Sequence, residues 1–497
     1  MIKKYSIALL TIFHFLLIAD EGMWEPYQMK SLQKELRASG FEGEVSNVSD
    51  LFKHPMSAIV SLGGCSAAFV SDKGLIATNY HCIERSFLQF NSNAETDLFK
   101  TGFVARSMDE EKRSAPGSRV YVTLESTDIT KEVLNGLNDE TQNIDRAKII
   151  EDNKKVIIKE CETSDDIECR VRSFFSGETY KLEKVLKIKD VRLVYAPPSY
   201  IGEYGGEIDN WMYPRHTGDF ALLRAYIAKD GSSKEFDEKN IPYQSDSFLK
   251  ISAKGIEDGD FVMVVGYPGR TNRTITFNEI KWDIEVGFNE YVKYLKRGIE
   301  LIDENTNSSD GSSLKYRGSK SGYENYYKKI SGQIDGAKNF KLIESENIKW
   351  QNFLDYVENK SSKTDKSFFY ELIDLIDQEQ QKAISRRYYG SSSLISQAKR
   401  IYRNAFEREK ADSERKPGYQ ERDQERITNR IKRLDYSFDH RVDQAIFLDR
   451  LMTYKTFDAS LRRPTYSNSL DRDKSEKIII SKADAISSTK DKTSKNL

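Results

Sequence analysis

Histidine and cysteine are scarce in this sequence, five and four among 497 residues. Proline is scarce too, at ten, and acidic and basic residues cancel to a formal charge of −1. Each shortage excludes something. No C-x-x-C spacing occurs around the four cysteines, so a thiolate zinc centre has no basis and no metal is expected. Balanced charge gives no argument for nucleic acid or for an anionic membrane surface. No apolar run after residue 19 is long enough to span a bilayer. No segment asks for a cofactor.

What is present is a polar, globular composition, with 31 % charged and 38 % hydrophobic residues, in a chain long enough for two or three domains. Lys3 and Lys4 precede the apolar run "YSIALLTIFHFLLIA", which ends at Ala19 and turns acidic at Asp20 and Glu21. That pattern reads as a signal peptide over residues 1–19, with Leu17 an unusual residue at the −3 position. Export to the periplasm or cell surface is the expectation, and an uncleaved N-terminal anchor is the alternative. In an oxidising compartment the cysteines fall into two local pairs, Cys65 with Cys82 and Cys161 with Cys169. A disulfide closing the first loop stabilises by roughly 3 kcal/mol in the chain-entropy picture.

Residues 20–276 read as mostly β. "SAIVSLGG", "SAAFVSDKGLIATN", "SRVYVTLES", "VRLVYAPP", "FALLRAYIAKDG" and "DFVMVVGYPG" are short β-branched or aromatic runs bounded by turn residues. "SDKG" between two of them signals a hairpin. A charged, helical excursion is expected around 125–160. From Pro268 to Pro417 there is no proline, and Phe369, Leu372, Ile373 and Ile376 recur at i, i+3, i+4, i+7. Residues 277–455 are therefore expected to form an α-helical domain. Residues 456–497 have the composition of a polar tail, with "KIIIS" the one stretch in it that could pair as a strand.

One stretch carries chemistry. In "GLIATNYHCIERS", His81 stands directly before Cys82 at the end of a small apolar strand. A histidine acting as general base needs a fixed ring and a partner that selects its tautomer. A cystine from Cys82 to Cys65 would supply the fixing; the plainer alternative is a histidine that merely follows a structural cystine. In "DNWMYPRHTGDFALLRAY", Asp219 precedes an apolar strand, where a carboxylate can face an imidazole or simply cap the strand. His216, two residues from a glycine, reads as a local hydrogen-bonding group rather than a second base.

Five blocks in order, "DEGMW", "GGCSAAFVSDKGLIATNYHC", "DNWMYPRHTGDF", "VGYPGRTNR" and "YENYYKK", resemble the bacterial dipeptidyl-peptidases of serine peptidase family S46. The resemblance runs from Asp20 to about Lys455. It implies a mixed β and α protein: a chymotrypsin-like double β-barrel with a helical domain capping the cleft. Matched residue by residue, it implies His81 as catalytic base and Asp219 as the acid that orients it. It also implies Asn210, Trp211 and Asn325 as the residues holding the substrate's free α-amino group. An amide oxygen accepts from an ammonium, and an indole face attracts a cation.

The sequence departs from the family pattern twice. Tyr80 stands where the family usually has the first of two histidines. The family's nucleophile lies in a C-terminal "GNSGSP"-like block of the second barrel, and no such block occurs here. Ser39, Ser176, Ser321 and Ser331 precede a glycine but lack the glycine two residues upstream that a G-x-S-G turn requires. Ser391 to Ser393 lead into helix, and Ser66 is expected buried in a strand.

The leading expectation is a serine-type dipeptidyl-peptidase acting on peptides with a free N-terminus, in a chain whose second barrel is largely missing and which is inactive by itself. One alternative is a non-catalytic envelope protein binding peptide N-termini. Another is an interaction scaffold built on the helical part. Family members tend to pair as homodimers.

Overall fold

The computed structural model describes residues 23–138, 141–269, 275–389 and 392–461. The expected signal peptide lies outside these residues, as do Ser391 and the polar tail from 462 onward.

Eleven strands make one antiparallel sheet: β1 (Ile59–Ser61), β2 (Ser66–Phe69), β3 (Leu75–Thr78), β4 (Phe103–Val104), β5 (Lys112–Arg113), β6 (Val120–Asp128), β7 (Ile167–Phe174), β8 (Thr179–Ile188), β9 (Asp190–Ala196), β10 (Ala221–Ile227) and β11 (Ile241–Pro242). Their order is β4-β9-β10-β3-β2-β1-β6-β8-β7, with β5 beside β9 and β11 beside β10. β2 and β3 alternate half-buried and buried residues, as strands with one face on a core do. Phe69, Ile76, Val60, Leu193, Ala221 and Leu223 meet in that core, joined by Tyr80, Ile83 and Leu88 from the turns after β3.

The "SDKG" hairpin forms as its sequence predicts. Ser71 Oγ accepts from the N–H groups of Lys73 and Leu75, and Gly74 takes φ +65°. A Cβ at Gly74 would stand 2.8 Å from the Ala225 carbonyl oxygen, so both the angle and the space call for glycine. This hairpin seats β3 against β10, with Ala221 opposite Thr78. That one register places the residue two before β10 beside the turn that follows β3.

Three expectations change. The excursion at 125–160 is helical only in part: β6 runs to Asp128, and the long helix is Asn143–Cys161. "DFVMVVGYPG" forms no strand. A β-branched run becomes a strand only where a neighbour accepts its hydrogen bonds, and here Val262, Met263 and Val264 are exposed instead. Ser66 is half-buried rather than buried, and its Oγ accepts from the Tyr267 N–H at 2.7 Å.

The described residues from Phe277 to Thr456 are mostly helical. Thr276 and Glu279 make a reciprocal capping box, and Ser362, Ser392 and Asp439 cap three later helices with their side chains. The Phe288–Asn305 helix buries Tyr294, Leu295, Gly298, Leu301 and Ile302, a 3.6-residue stripe. These pack on Tyr316 of the Ser312–Asn339 helix and on Val442, Ile446 and Tyr454 of the His440–Thr456 helix. The Phe369 face does lie on a helix, Lys363–Tyr388, but packs incompletely: Phe369 meets Trp350 and Phe353 while Leu372 stays exposed.

Candidate active site

β3 ends at Thr78 and the chain turns through a 3₁₀ segment, Tyr80–Cys82. Cys82 is bonded to Cys65, immediately before β2, so the turn is tied back to the sheet covalently. Cys161 and Cys169 form the second cystine. The β3–β10 pairing brings Asp219 to the same place. His81 Nδ1 lies 2.8 Å from Asp219 Oδ2, and the His81 backbone N–H donates to Oδ1 at 3.1 Å. Asn79 Nδ2 donates to the Asp219 carbonyl oxygen at 3.0 Å and to Oδ2 at 3.2 Å. A carboxylate accepts, so Nδ1 carries the hydrogen and the Nε2 lone pair is left for another partner. The imidazole is 60 % exposed and the carboxylate 25 %. A base and its orienting acid are arranged in this way.

Burial pushes the Asp219 carboxyl up. The hydrogen bond and charge of His81, with the backbone N–H groups of His81 and Tyr80, outweigh it and leave the group below the usual carboxylate range. The sulfurs of Cys65 and Cys82 lie within 4.8 Å of the imidazole nitrogen, a cluster with the outline of a metal site. Both sulfurs are spent in the cystine, which offers no thiolate, so these residues do not fit a metal.

A second cluster joins two distant segments. The short helix Gly206–Asp209 leads to Asn210 and Trp211, while Asn325 projects from the Ser312–Asn339 helix. Asn325 Oδ1 accepts from Asn210 Nδ2 at 2.8 Å and from Trp211 Nε1 at 2.9 Å. All three residues singled out in the sequence therefore meet. Trp211 holds φ +59°, a left-handed conformation that a bulky residue adopts at a cost. Asn210 Oδ1 steadies it, accepting from the Trp211 N–H at 3.1 Å and from Arg215 Nη1 at 2.7 Å. Trp211 is 58 % exposed. His216 is exposed as well.

Sequence reasoning missed three members of this cluster. Glu207 Oε2 accepts from Asn210 Nδ2 at 2.7 Å, Arg215 holds the amide's other end, and Lys329 Nζ stands 5.5 Å from the centre of the Trp211 ring. The i, i+3 spacing of Glu207 and Asn210 was the available signal for the first. Lys329 follows Asn325 by one helical turn, which places it on the same face. The expectation that the indole face attracts a cation meets a cation already there, supplied by the protein itself.

The chain is similar to several known proteins. The Asp/Glu-specific dipeptidyl-peptidase of Shewanella putrefaciens (strain CN-32 / ATCC BAA-453) is 40 % identical over 439 residues, 88 % of this chain and 59 % of that protein. Dipeptidyl-peptidase 7 of Capnocytophaga gingivalis is 28 % identical over 410 residues, 80 % of this chain and 57 % of its own length. The chain thus spans somewhat under three-fifths of these curated relatives. Among solved structures, Porphyromonas endodontalis DPP11 in complex with the dipeptide Arg-Asp superposes with a TM-score of 0.71 at 24 % identity, over 90 % of this chain and 65 % of that one, a likeness of fold. The family model for peptidase S46 matches residues 19–497, and the chain belongs to that family.

Proposed function

We propose that this chain carries the base, the orienting acid and the N-terminus-binding cluster of a serine-type dipeptidyl-peptidase. The observation that carries the reading is the 2.8 Å contact between His81 Nδ1 and Asp219 Oδ2, made by residues that the β3–β10 register brings together. In this reading Asn210, Trp211 and Asn325 hold the free α-ammonium of a peptide. A serine then attacks the second carbonyl, His81 Nε2 takes the hydroxyl proton and passes it to the leaving amine, and water hydrolyses the acyl-enzyme. Asp219 keeps the imidazole in the tautomer this needs and stabilises the imidazolium. The nucleophile this reading needs is a serine in a G-x-S-G turn, which no serine of these 497 residues occupies, so binding without turnover is the expected behaviour.

The sheet-bearing part, residues 20–276, supplies a chymotrypsin-like barrel in this reading, and 277–455 caps the cleft. Two cystines suit an exported protein, and no helix among the described residues is long and apolar enough to cross a membrane. A homodimer accords with the family's habit.

Calorimetry tests the binding half. A tripeptide with a free amine is expected to bind, its N-acetyl analogue to bind at least tenfold more weakly, and Trp211→Ala to abolish the difference. Equal binding of both peptides would sink the reading. Dipeptide release by the purified chain, abolished in His81→Ala, would overturn the expectation of binding without turnover.

A further inference from the structure

Beside the two clusters lies a partly buried group of side chains that neither uses. Glu84 opens the turn Glu84–Leu88, three residues after His81, and is only 6 % exposed. Its carboxyl meets that of Glu203 at hydrogen-bond range. Glu203 follows the short helix Ser199–Gly202 and leads toward Asn210 and Trp211. Arg317, on the helix that carries Asn325, donates from Nη2 to Glu203 Oε2 at 2.7 Å and lays its guanidinium 4.2 Å from the Phe99 ring centre.

These contacts link the parts of both clusters. The Tyr80 ring packs so closely on Gly202 that a Cβ there would stand 2.5 Å away. The Gly202 and Ile201 carbonyls accept from Thr217 Oγ1 and the Gly218 N–H at 3.0 and 2.9 Å, which fastens the short helix to the segment ending in Asp219. Tyr80 Oη is buried with no hydrogen-bond partner.

Two carboxylates this close, Glu84 buried and Glu203 half-buried, with one guanidinium already committed to the second, do not both stay ionised cheaply. One proton between them turns the repulsion into a charge-assisted hydrogen bond. We propose that Glu84 and Glu203 share a proton, and that this acid–carboxylate pair, braced by Arg317, is a positioning strut that sets His81 and Asp219 against the Asn210–Trp211–Asn325 cluster. The proposal rests on reading those two clusters as one peptide site. The charged and titratable groups around Glu84 are Glu203, Arg317, Asp219 and Tyr80, and Tyr80 in turn feels the charge of Asp97. Arg85, the next residue, reaches instead for Ser319 Oγ at 3.1 Å. Burial, then the Glu203 charge, push the Glu84 carboxyl well above the usual carboxylate range. The strut is therefore intact in acid and loosens as pH rises.

The test needs no peptide and no turnover. In protein labelled with ¹³C at glutamate carboxyls, one resonance, absent from Glu84→Gln, is expected to titrate above all the exposed glutamates. The Trp211 indole N–H resonance, assigned by its loss in Trp211→Phe, is expected to shift in step with it. In Glu84→Gln the indole is expected to stay at its acid position across that range, because glutamine keeps a donor toward Glu203. A Glu84 that titrates with the exposed glutamates overturns the shared proton, and an indole that ignores the titration overturns the strut. Both titrations are read in the wild-type chain, and should an assigning variant fail to fold, Glu84→Asp and Trp211→Tyr assign the same two resonances. Peptide calorimetry is a separate arm: if neither the free-amine nor the acetylated peptide binds, the peptide site falls while the titration still decides the proton.

Discussion

At the scale of single residues, the site is governed by where each charge finds its partner. Asp219 is partly buried yet fully engaged: the His81 ring, the His81 backbone and Asn79 all donate to it. Hydrogen bonds to a charged acceptor contribute about 1.5–3 kcal/mol each when one side is removed. Asp219→Asn retains the shape and some of the acceptors, so it is expected to destabilise by about 1–2 kcal/mol at neutral pH. The pH dependence follows from the sign of the shift. A carboxyl held below its usual range in the folded state contributes stability above its unfolded pKa of about 4, and loses it as pH falls through the lower folded value. Denaturant melts of the two proteins should therefore separate at pH 7 and converge in strong acid. A gap that stays constant into acid would mean the carboxylate's charge is not what His81 and Asn79 are holding.

At the scale of elements, the sequence displayed some parts of the site plainly and concealed others. The β2–β3 hairpin was legible because alternation and a turn signal agree locally, and His81 beside Cys82 was legible because adjacency needs no fold. Asp219 was legible only as a residue before a strand; that β10 lies beside β3 is a property of the sheet, and the five-block resemblance implied only the partnership of Asp219 with His81. Glu84, Glu203 and Arg317 were not legible at all, since each reads as an ordinary surface charge until three separate elements converge. The same holds for Val262–Val264, whose β-branched composition looks like a strand but cannot make one without a partner. The Ser199–Gly202 helix shows how tightly such convergence is packed. Gly202→Ala would drive a methyl group into the buried Tyr80 ring, with core on the other side to resist its retreat. Overpacking of this kind costs about 1–3 kcal/mol. The variant is expected to lose that much by urea denaturation and to move the Trp211 indole resonance. An unmoved indole would show that the short helix does not transmit to the cluster.

At the scale of the whole molecule, the sheet and the helices hold their own cores, joined by a few apolar contacts such as Leu314 on the sheet's core and by polar bridges. Gln89 Nε2 donates to the Lys315 carbonyl at 2.7 Å and to that of Tyr436 at 3.1 Å, Arg317 meets Glu203, and Arg119 is gripped by Glu235 and Glu425. Each bridge starts from a buried or half-buried side chain of one part and ends on the other or on a loop beside it, so unfolding either part strands a polar group of its neighbour. The segment from 251 to 269 shares in neither core: Ile251, Ile256, Val262 and Val264 are exposed, the last entirely at 100 %. It is anchored on both sides of Val262–Val264: the half-buried Phe261 ring lies 5.1 Å from that of Phe41, and at the far end the Tyr267 N–H meets Ser66 Oγ and the Tyr267 hydroxyl meets Thr123 Oγ1 at 2.8 Å. Local opening requires only the loss of contacts that exist, and Val262–Val264 have few to lose. Amide exchange is thus expected to be fastest at Val262–Val264, slower at Tyr267, and slowest at Ile76 and Leu223 in the paired strands β3 and β10. Should Val262–Val264 prove as protected as β10, that run is covered in solution by something that pairs with it, and the exposed apolar side chains described above are the surface it pairs through.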